Sequence, residues 1–221
     1  MKIKKNFHFE LEDLVNKEDN VLKTLDVIIP EKVDPQHGMF VWPSAPVLSK
    51  FIFNNQENFR DKNVLELGAG TSLPGIVAAK IGAKVTLSDA KFYPNCLENC
   101  RQSCEVNNLK TSMVNVIPLT WGLVDEQILN LENVDAILGS DCFYDRKDFE
   151  DIIFTVSFLL NRNPSCVFIT AYQVRSEKYC LQMLLKKWGL IGKEIPLKSF
   201  CTEDELVNHK HDIELYQITK A

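Results

Sequence analysis

The chain has 221 residues, and its 25 Lys and Arg against 30 Asp and Glu give a formal net charge of −5. This acidic balance excludes a general nucleic-acid binder, because such proteins gain affinity by neutralising phosphates with basic side chains. The composition is 45% hydrophobic and 10% aromatic, which is typical of a packed globular protein and not of a disordered one. We therefore expect one domain over residues 1–221.

No apolar run approaches the ~20 residues that a helix needs to cross a bilayer. Residues 10–13 (ELED) are acidic where a signal peptide would be apolar. The seven cysteines are an odd number, so we expect reduced thiols and no disulfide framework. These features predict a soluble protein of the cytoplasm and nucleus, with no membrane partner and no direct nucleic-acid partner. We also expect a monomer.

Residues 1–39 are more polar than the rest and are predicted to form an N-terminal hairpin or flap, with strands at 7–9 and 25–29. From residue 63, apolar strands alternate with helical segments. The predicted strands are 64–67, 84–89, 113–117, 134–139 and 166–170, and the predicted helices are 72–81, 94–107, 148–160 and 176–188. Two further strands, 191–196 and 212–219, are predicted to be joined by a polar loop without a helix. The pattern predicts an α/β, Rossmann-like sheet with helices on both faces and an antiparallel C-terminal hairpin.

The most informative stretch is a glycine-rich turn in residues 64–75 (VLELGAGTSLPG), between a predicted strand and a predicted helix. Such a turn lets a ligand approach the backbone at the carboxyl edge of an α/β sheet. A dinucleotide site would need a third glycine at Leu73, so the bulky side chain argues against a bound pyrophosphate. Glu66 would also repel a pyrophosphate, but it can meet a ligand ammonium. S-adenosylmethionine, which has a nucleoside and an amino-acid end but no phosphate, satisfies both conditions.

Asp89 ends the next predicted strand, about 20 residues after the turn, where an acidic residue accepts hydrogen bonds from ribose hydroxyls. Its alternative role is to cap a turn or a helix, which is common for Asp at strand ends. Following an E-x-G-x-G turn at this spacing, the ribose role is favoured.

Four motifs in this order resemble the seven-strand S-adenosylmethionine-dependent methyltransferases, and among them family 16, the lysine methyltransferase group. They are V-W-P-S-A at 41–45, E-L-G-A-G at 66–70, W-G at 121–122 and D-C-F-Y at 141–144. The resemblance covers about residues 40–189. Together with the turn it predicts S-adenosylmethionine as the cofactor, held by Trp42, Glu66, Gly68, Ala69, Gly70, Asp89, Trp121 and Ser140. For the two tryptophans, ordinary burial in the core is the alternative.

Asp141 and Tyr144 are the predicted catalytic residues. A nitrogen nucleophile must present a lone pair, yet free lysine has a pKa of ~10.4 and arginine one above ~12. A carboxylate can orient that cation and accept its proton, while a tyrosine fixes the alkyl stem. The alternative is that Asp141 only caps a turn, in which case Gln173 and Arg175 are the next candidates around the cleft.

The resemblance implies a protein substrate. Most members of the family methylate lysine side chains, often on heat-shock chaperones, and the nearest member methylates arginine on histone H3. We predict methyl transfer to a side-chain nitrogen, with histone H3 arginine first and chaperone lysine as the alternative. A nicotinamide oxidoreductase is disfavoured by Leu73 and by the antiparallel end of the sheet. A non-catalytic, cofactor-binding scaffold in transcription regulation also stays open.

Three cysteines, Cys96, Cys100 and Cys104, are spaced at i, i+4 and i+8, which places their thiols on one face of a helix. Iron-sulfur enzymes that cleave S-adenosylmethionine use a different spacing, in a loop. No histidine lies near to complete a zinc site. We therefore predict buried thiols that bind no metal.

Overall fold

The computed structural model describes residues 2–11, 21–32, 37–175, 181–208 and 211–221. The strands are β1 (Lys2–Glu10), β2 (Thr24–Lys32), β3 (Asn63–Leu67), β4 (Lys84–Asp89), β5 (Val114–Pro118), β6 (Ala136–Ser140), β7 (Val167–Gln173), β8 (Leu190–Glu194) and β9 (Ile213–Lys220). The helices are α1 (Ser44–Asn54), α2 (Leu73–Lys80), α3 (Pro94–Val106), α4 (Glu126–Leu129), α5 (Phe149–Arg162), α6 (Leu181–Lys187) and α7 (Glu203–Asn208).

The central sheet has seven strands in the order β5-β4-β3-β6-β7-β9-β8. The strands from β5 to β7 are parallel, and β9 runs antiparallel to both β7 and β8. This confirms the predicted Rossmann-like sheet with its antiparallel C-terminal hairpin. The chain leaves β3 toward β4 and β5 and then returns to β6 on the other side of β3. The carboxyl ends of β3 and β6 therefore form the switch point at which α/β sheets bind ligands.

Helices cover both faces of this sheet, as predicted. Because side chains alternate along a strand, Val64 packs into the core with α1, α2 and α3, whereas Leu65 and Leu67 pack into the core with α5 and α6. The same alternation turns Glu66 toward the first face, where α2 begins. None of the described helices is both long and apolar enough to cross a membrane.

The N-terminal hairpin pairs β1 with β2 in antiparallel register, with Phe7 opposite Val27. Val27 and Ile29 are fully buried in the core beside α2 and α3. The Asn107 side chain donates to the carbonyl of Ile28 at 2.6 Å and accepts from its N–H at 3.1 Å. The hairpin is thus packed and hydrogen bonded to the α2–α3 face, as an extension of the core and not as a free flap.

Three helices were not predicted. Helix α1 begins at Ser44 within the V-W-P-S-A motif, α4 is a four-residue helix between β5 and β6, and α7 lies in the stretch between β8 and β9 that the polar pattern predicts to be a loop. The loop prediction was wrong because four of the six residues of α7 (EDELVN) are polar and give no clear helical pattern, while Glu205 is held by Lys50 of α1 and by the N–H of Thr202. The predicted start of α6, at residues 176–180, lies outside the described residues.

Candidate functional site

The glycine turn after β3 needs its glycines for conformation and for space. Gly68 and Gly70 have φ of +58° and +51°, values that side-chain-bearing residues rarely adopt. A Cβ on Gly68 would lie 2.6 Å from Cζ2 of Trp121, and one on Gly70 would lie 3.1 Å from the carbonyl oxygen of Gly38. The turn is therefore closed from one side by the Trp121 ring and from another by the backbone of a short 3-10 turn, His37–Met39.

The backbone N–H groups of this turn are used inside the protein. Ala69 donates to the carbonyl of Ser88 at 2.8 Å, and Gly70 donates to Oδ2 of Asp89 at 2.9 Å. The Ser72 N–H, just before α2, donates to the carbonyl of Ala69. A phosphate-binding turn presents such groups to the anion. Their internal use therefore argues against a dinucleotide and agrees with a ligand that has no phosphate.

Two buried carboxyl groups flank the turn. Burial raises the pKa of Glu66 to about 8 and that of Asp89 to about 6. Glu66 Oε2 accepts the Gly75 N–H at 3.0 Å, while its Oε1 receives no hydrogen bond from the part of the chain that the structure describes. Asp89 also accepts the N–H of Ala90 at 2.8 Å. Glu66 thus lies beneath the turn, bonded to α2, and its contact with a ligand ammonium stays a prediction.

The glycine turn and the strand ends beside it fit S-adenosylmethionine. The Asp89 carboxyl group lies at the carboxyl end of β4. Ser140 is the last residue of β6, and its Oγ lies 3.1 Å from Oγ of Ser44. A cofactor with an ammonium and a sulfonium, and without a phosphate, matches the acidic character of the turn. The individual contacts of Trp42, Asp89, Trp121 and Ser140 with the cofactor stay predictions.

Asp141, the first residue after β6, combines left-handed backbone with a buried charge. Its φ is +55°, its N–H donates to the carbonyl of Ala171 at 2.7 Å, and its side chain is 3% exposed. The carboxylate accepts from Nη1 of Arg175 at 2.9 Å, from Nη2 at 2.6 Å and from the N–H of Gln173 at 3.1 Å. A guanidinium therefore already occupies both oxygens of the carboxylate, and the catalytic role of Asp141 stays a prediction.

The same guanidinium lies over an aromatic ring. The Arg175 Cζ is 5.6 Å from the centroid of the Trp42 ring, which in turn packs at 4.6 Å against Phe40. We call the Asp141 carboxylate and the Trp42 ring together the guanidinium site. Sequence reasoning placed Arg175 near the cleft but missed this pairing, as it missed the contacts of Ser44 and Gly38.

Tyr144, the other predicted catalytic residue, follows Asp141 by three residues and has 41% of its surface exposed. Partial burial, with smaller contributions from neighbouring charges, raises the pKa of its hydroxyl to about 12. The hydroxyl therefore stays protonated at neutral pH, so it can donate a hydrogen bond but does not act as a base.

The three cysteines of α3 face the interior beneath the turn. Cys96 and Cys100 are buried, Cys104 is partly buried, and the Cys100 thiol donates to the carbonyl of Gly70 at 3.4 Å. Burial raises the pKa of the Cys104 thiol to about 11. Within the described ranges, no group of three or more His, Cys, Asp or Glu side chains is arranged to hold a metal ion.

Comparison with known proteins identifies the family. A family model described as "Lysine methyltransferase" matches residues 21–187. The histone-arginine methyltransferase METTL23 of Xenopus laevis is 50% identical over 193 residues, which cover 87% of this chain and 82% of that protein. The human protein of the same name is 44% identical over 188 residues, which cover 83% of this chain and 98% of that protein. The protein-lysine methyltransferase METTL21E of Bos taurus is 34% identical over 148 residues, or 64% and 50%.

Solved structures of methyltransferases share the fold at low identity. The Thermus thermophilus 16S rRNA N2 G1207 methyltransferase, in complex with AdoMet and guanosine, has a TM-score of 0.62 at 17% identity and covers 99% of this chain and 51% of that one. The Synechocystis magnesium protoporphyrin IX methyltransferase with bound SAM has a TM-score of 0.55 at 12% identity, covering 80% and 78%. The chain therefore belongs to the family 16 lysine methyltransferases and is an S-adenosylmethionine-dependent methyltransferase.

Proposed function

We propose that the protein methylates arginine side chains of a protein substrate, with the tail of histone H3 as the first candidate. One observation carries the proposal: beside the glycine turn, the buried Asp141 carboxylate is shaped to bind a guanidinium through both of its oxygens. A planar guanidinium matches a carboxylate in this two-point way, whereas the ammonium of lysine is a point charge. The names of the relatives that are 44% and 50% identical support the same acceptor.

Methyl transfer needs a methyl donor, a group that orients the acceptor nitrogen and takes its proton, and side chains that hold the rest of the substrate arginine. S-adenosylmethionine, when bound, supplies an electrophilic methyl group, and the electrons of the broken C–S bond stay on sulfur. Asp141 would orient the acceptor guanidinium through paired hydrogen bonds, and it would take up the proton that the nitrogen loses once the N–C bond has formed. Trp42 would hold the plane of the guanidinium, and the exposed Tyr144 would contact the alkyl stem.

Exposed acidic side chains in the C-terminal part of the chain support a basic substrate segment. Asp212 is exposed directly before β9, which begins opposite the carboxyl end of β7. Glu203 and Asp204 are exposed on α7, which is joined to α1 by the ion pair of Glu205 with Lys50. Such charges, with the net charge of −5, favour the approach of a cationic tail. A histone substrate would place the working protein in the nucleus, and a chaperone substrate would place it in the cytoplasm.

The test is methyl transfer by the purified chain. The protein is incubated with labelled S-adenosylmethionine and a histone H3 tail peptide. Two matched peptides are tested in parallel, one with every Arg replaced by Lys and one with every Lys replaced by Arg. Mass spectrometry then locates the methyl group. We expect label on arginine only. Label on lysine alone would establish the lysine alternative, and cofactor binding without transfer to peptides or cell extract would favour a scaffold.

A further inference from the structure

We infer that Arg175 is an internal occupant of the guanidinium site, which the substrate arginine displaces before transfer. The inference rests on the proposed function, because it takes the substrate to be a guanidinium. Displacement of Arg175 opens the site and favours arginine over lysine there.

The two partners of the ion pair differ in how firmly they are held. Asp141 is fixed by its backbone bond to Ala171 and by the Gln173 N–H, and its side chain is 3% exposed. The Arg175 side chain is 32% exposed and reaches the carboxylate from the solvent side. Arg175 is thus the partner whose charged group can move into solvent, while the Asp141 carboxylate keeps its place and needs a new cation.

The position of Arg175 in the chain allows this movement. Strand β7 ends at Gln173, which pairs with Ile213 of β9, and Val174 still donates to the carbonyl of Asp212 at 2.8 Å. Arg175 follows the last of these bonds. Rotation about its side-chain torsions would move the guanidinium away from Asp141 while every hydrogen bond of the β7–β9 pair stays in place.

The Asp141 carboxylate is paired with a guanidinium both before the exchange, with Arg175, and after it, with the substrate arginine. A substrate guanidinium can replace both hydrogen bonds of Arg175 to Asp141 and its contact with the Trp42 ring. A lysine ammonium would leave part of this set unmade, and an unpaired buried charge is costly. The resident arginine therefore acts as a competitor that only another guanidinium replaces fully.

The experiment compares Arg175→Ala with wild type and with Arg101→Ala, a control that removes an exposed arginine of α3 paired only loosely with Glu98. Calorimetry with N-acetyl-arginine amide, in the presence of S-adenosylhomocysteine, measures the site without turnover. If Arg175 fills the site about nine-tenths of the time, its removal should tighten this binding about tenfold. The KM for an arginine peptide should fall in parallel, while cofactor affinity should match the control.

A permanent structural pair gives the opposite result. Weaker or unchanged binding of the arginine amide to Arg175→Ala, with a lower kcat and an unchanged KM, would overturn the inference. If that variant melts too low to assay, Arg175→Lys is used, because a single ammonium should be displaced more readily and tighten binding partially; wild-type affinity in that folded variant would also overturn it. Tighter amide binding without methylation of any arginine peptide would leave the displacement standing and refute the proposed function.

Discussion

At the level of single side chains, Asp141 allows a test of the chemistry with little change in shape. Its φ of +55° is a conformation that Asn also tolerates, so Asp141→Asn should keep the backbone and remove only the charge. We expect turnover to fall by about a hundredfold or more, since orientation and proton uptake are both lost. Cofactor affinity should change little. Asp61→Asn, an exposed residue with φ of +59°, is the matched control for the conformation.

If Asp141→Asn turns over at the wild-type rate, Asp141 only caps a turn and takes no part in the chemistry. The acceptor would then have to be bound by other groups of the cleft, and the guanidinium site would be structural.

Asp89 tests the cofactor side of the same cleft. Its carboxylate would lose hydrogen bonds to the ribose and its hold on the Gly70 N–H, so we expect Asp89→Ala to weaken S-adenosylhomocysteine binding at least about tenfold. Asp135→Ala is the control, because Asp135 also accepts a backbone N–H, from Asn63 at 2.8 Å, but at the opposite edge of the sheet. Calorimetry on both variants measures the difference. Equal affinities would leave Asp89 as a turn-capping residue.

Glu66 makes stability depend on pH. Burial raises its pKa from 4.5 to about 8, so the folded state binds this proton more tightly than the unfolded state does. The contribution is fully present below about pH 4.5 and is lost as the pH rises through about 8, at about 1.4 kcal/mol for each tenfold difference in proton affinity. Glu66→Gln removes the ionisation, so its melting temperature should fall less than that of wild type between about pH 5 and about pH 8. Glu57→Gln, at an exposed carboxyl, should follow wild type.

At the level of elements, a comparison of two glycines distinguishes the cost of backbone strain from the cost of a steric clash. Gly68 and Gly189 both have positive φ, but a Cβ on Gly68 would meet the Trp121 ring at 2.6 Å, whereas no described heavy atom lies within 4 Å of a Cβ on Gly189. Gly189→Ala should therefore cost about 1–2 kcal/mol of stability and leave cofactor binding intact. Gly68→Ala should cost more and also lose cofactor affinity. Thermal melts and calorimetry check both, and equal behaviour would show that the Trp121 contact is unimportant.

The elements that sequence predicted and those it missed differ in a physical way. Buried parallel strands such as β6 are continuous apolar runs, and their glycine and proline boundaries are local, so their alternation with helices could be predicted. Helix α1 begins after Pro43 and carries Pro46 in its first turn, a pattern that also fits a turn. Helix α7 is short and mostly polar, and its ion pair with Lys50 of α1 is a long-range contact that no local pattern shows.

The site divides in the same manner. The glycines and Asp89 lie within about 20 residues of one another in a fixed strand–turn–helix frame, and so the sequence located them. The pairing of Asp141 with Arg175 joins residues 34 apart in the chain. It depends on β6 and β7 being neighbours and on the direction of a long side chain. Neither follows from composition or spacing, so the occupied state of the carboxylate could not be predicted.

At the level of the whole molecule, the sheet order brings the site together from distant parts of the chain. Trp42 precedes α1, the glycine turn follows β3, and Asp141 follows β6, yet all of them meet at the carboxyl edge. The Ser44–Ser140 contact at 3.1 Å ties the start of α1 to the end of β6. Movement of α1 would therefore carry Trp42 away from Asp141. The Phe53 ring of α1 packs at 5.9 Å against Phe9 of β1, so the acceptor side depends on the packing of the N-terminal hairpin.

This dependence leads to a prediction about the hairpin. Ile29 of β2 is fully buried against the α2–α3 face, while Ile3 of β1 is 44% exposed. If the hairpin belongs to one cooperative unit with the sheet, Ile29→Ala should lower the free energy of unfolding by about 2–5 kcal/mol, as in other cores, and Ile3→Ala should cost much less. Urea titrations followed by circular dichroism and by tryptophan fluorescence should give one coincident transition in each protein. A small cost for Ile29→Ala, or two separate transitions, would instead show that the hairpin folds apart from the methyltransferase sheet and that the single-domain prediction for residues 1–221 was wrong.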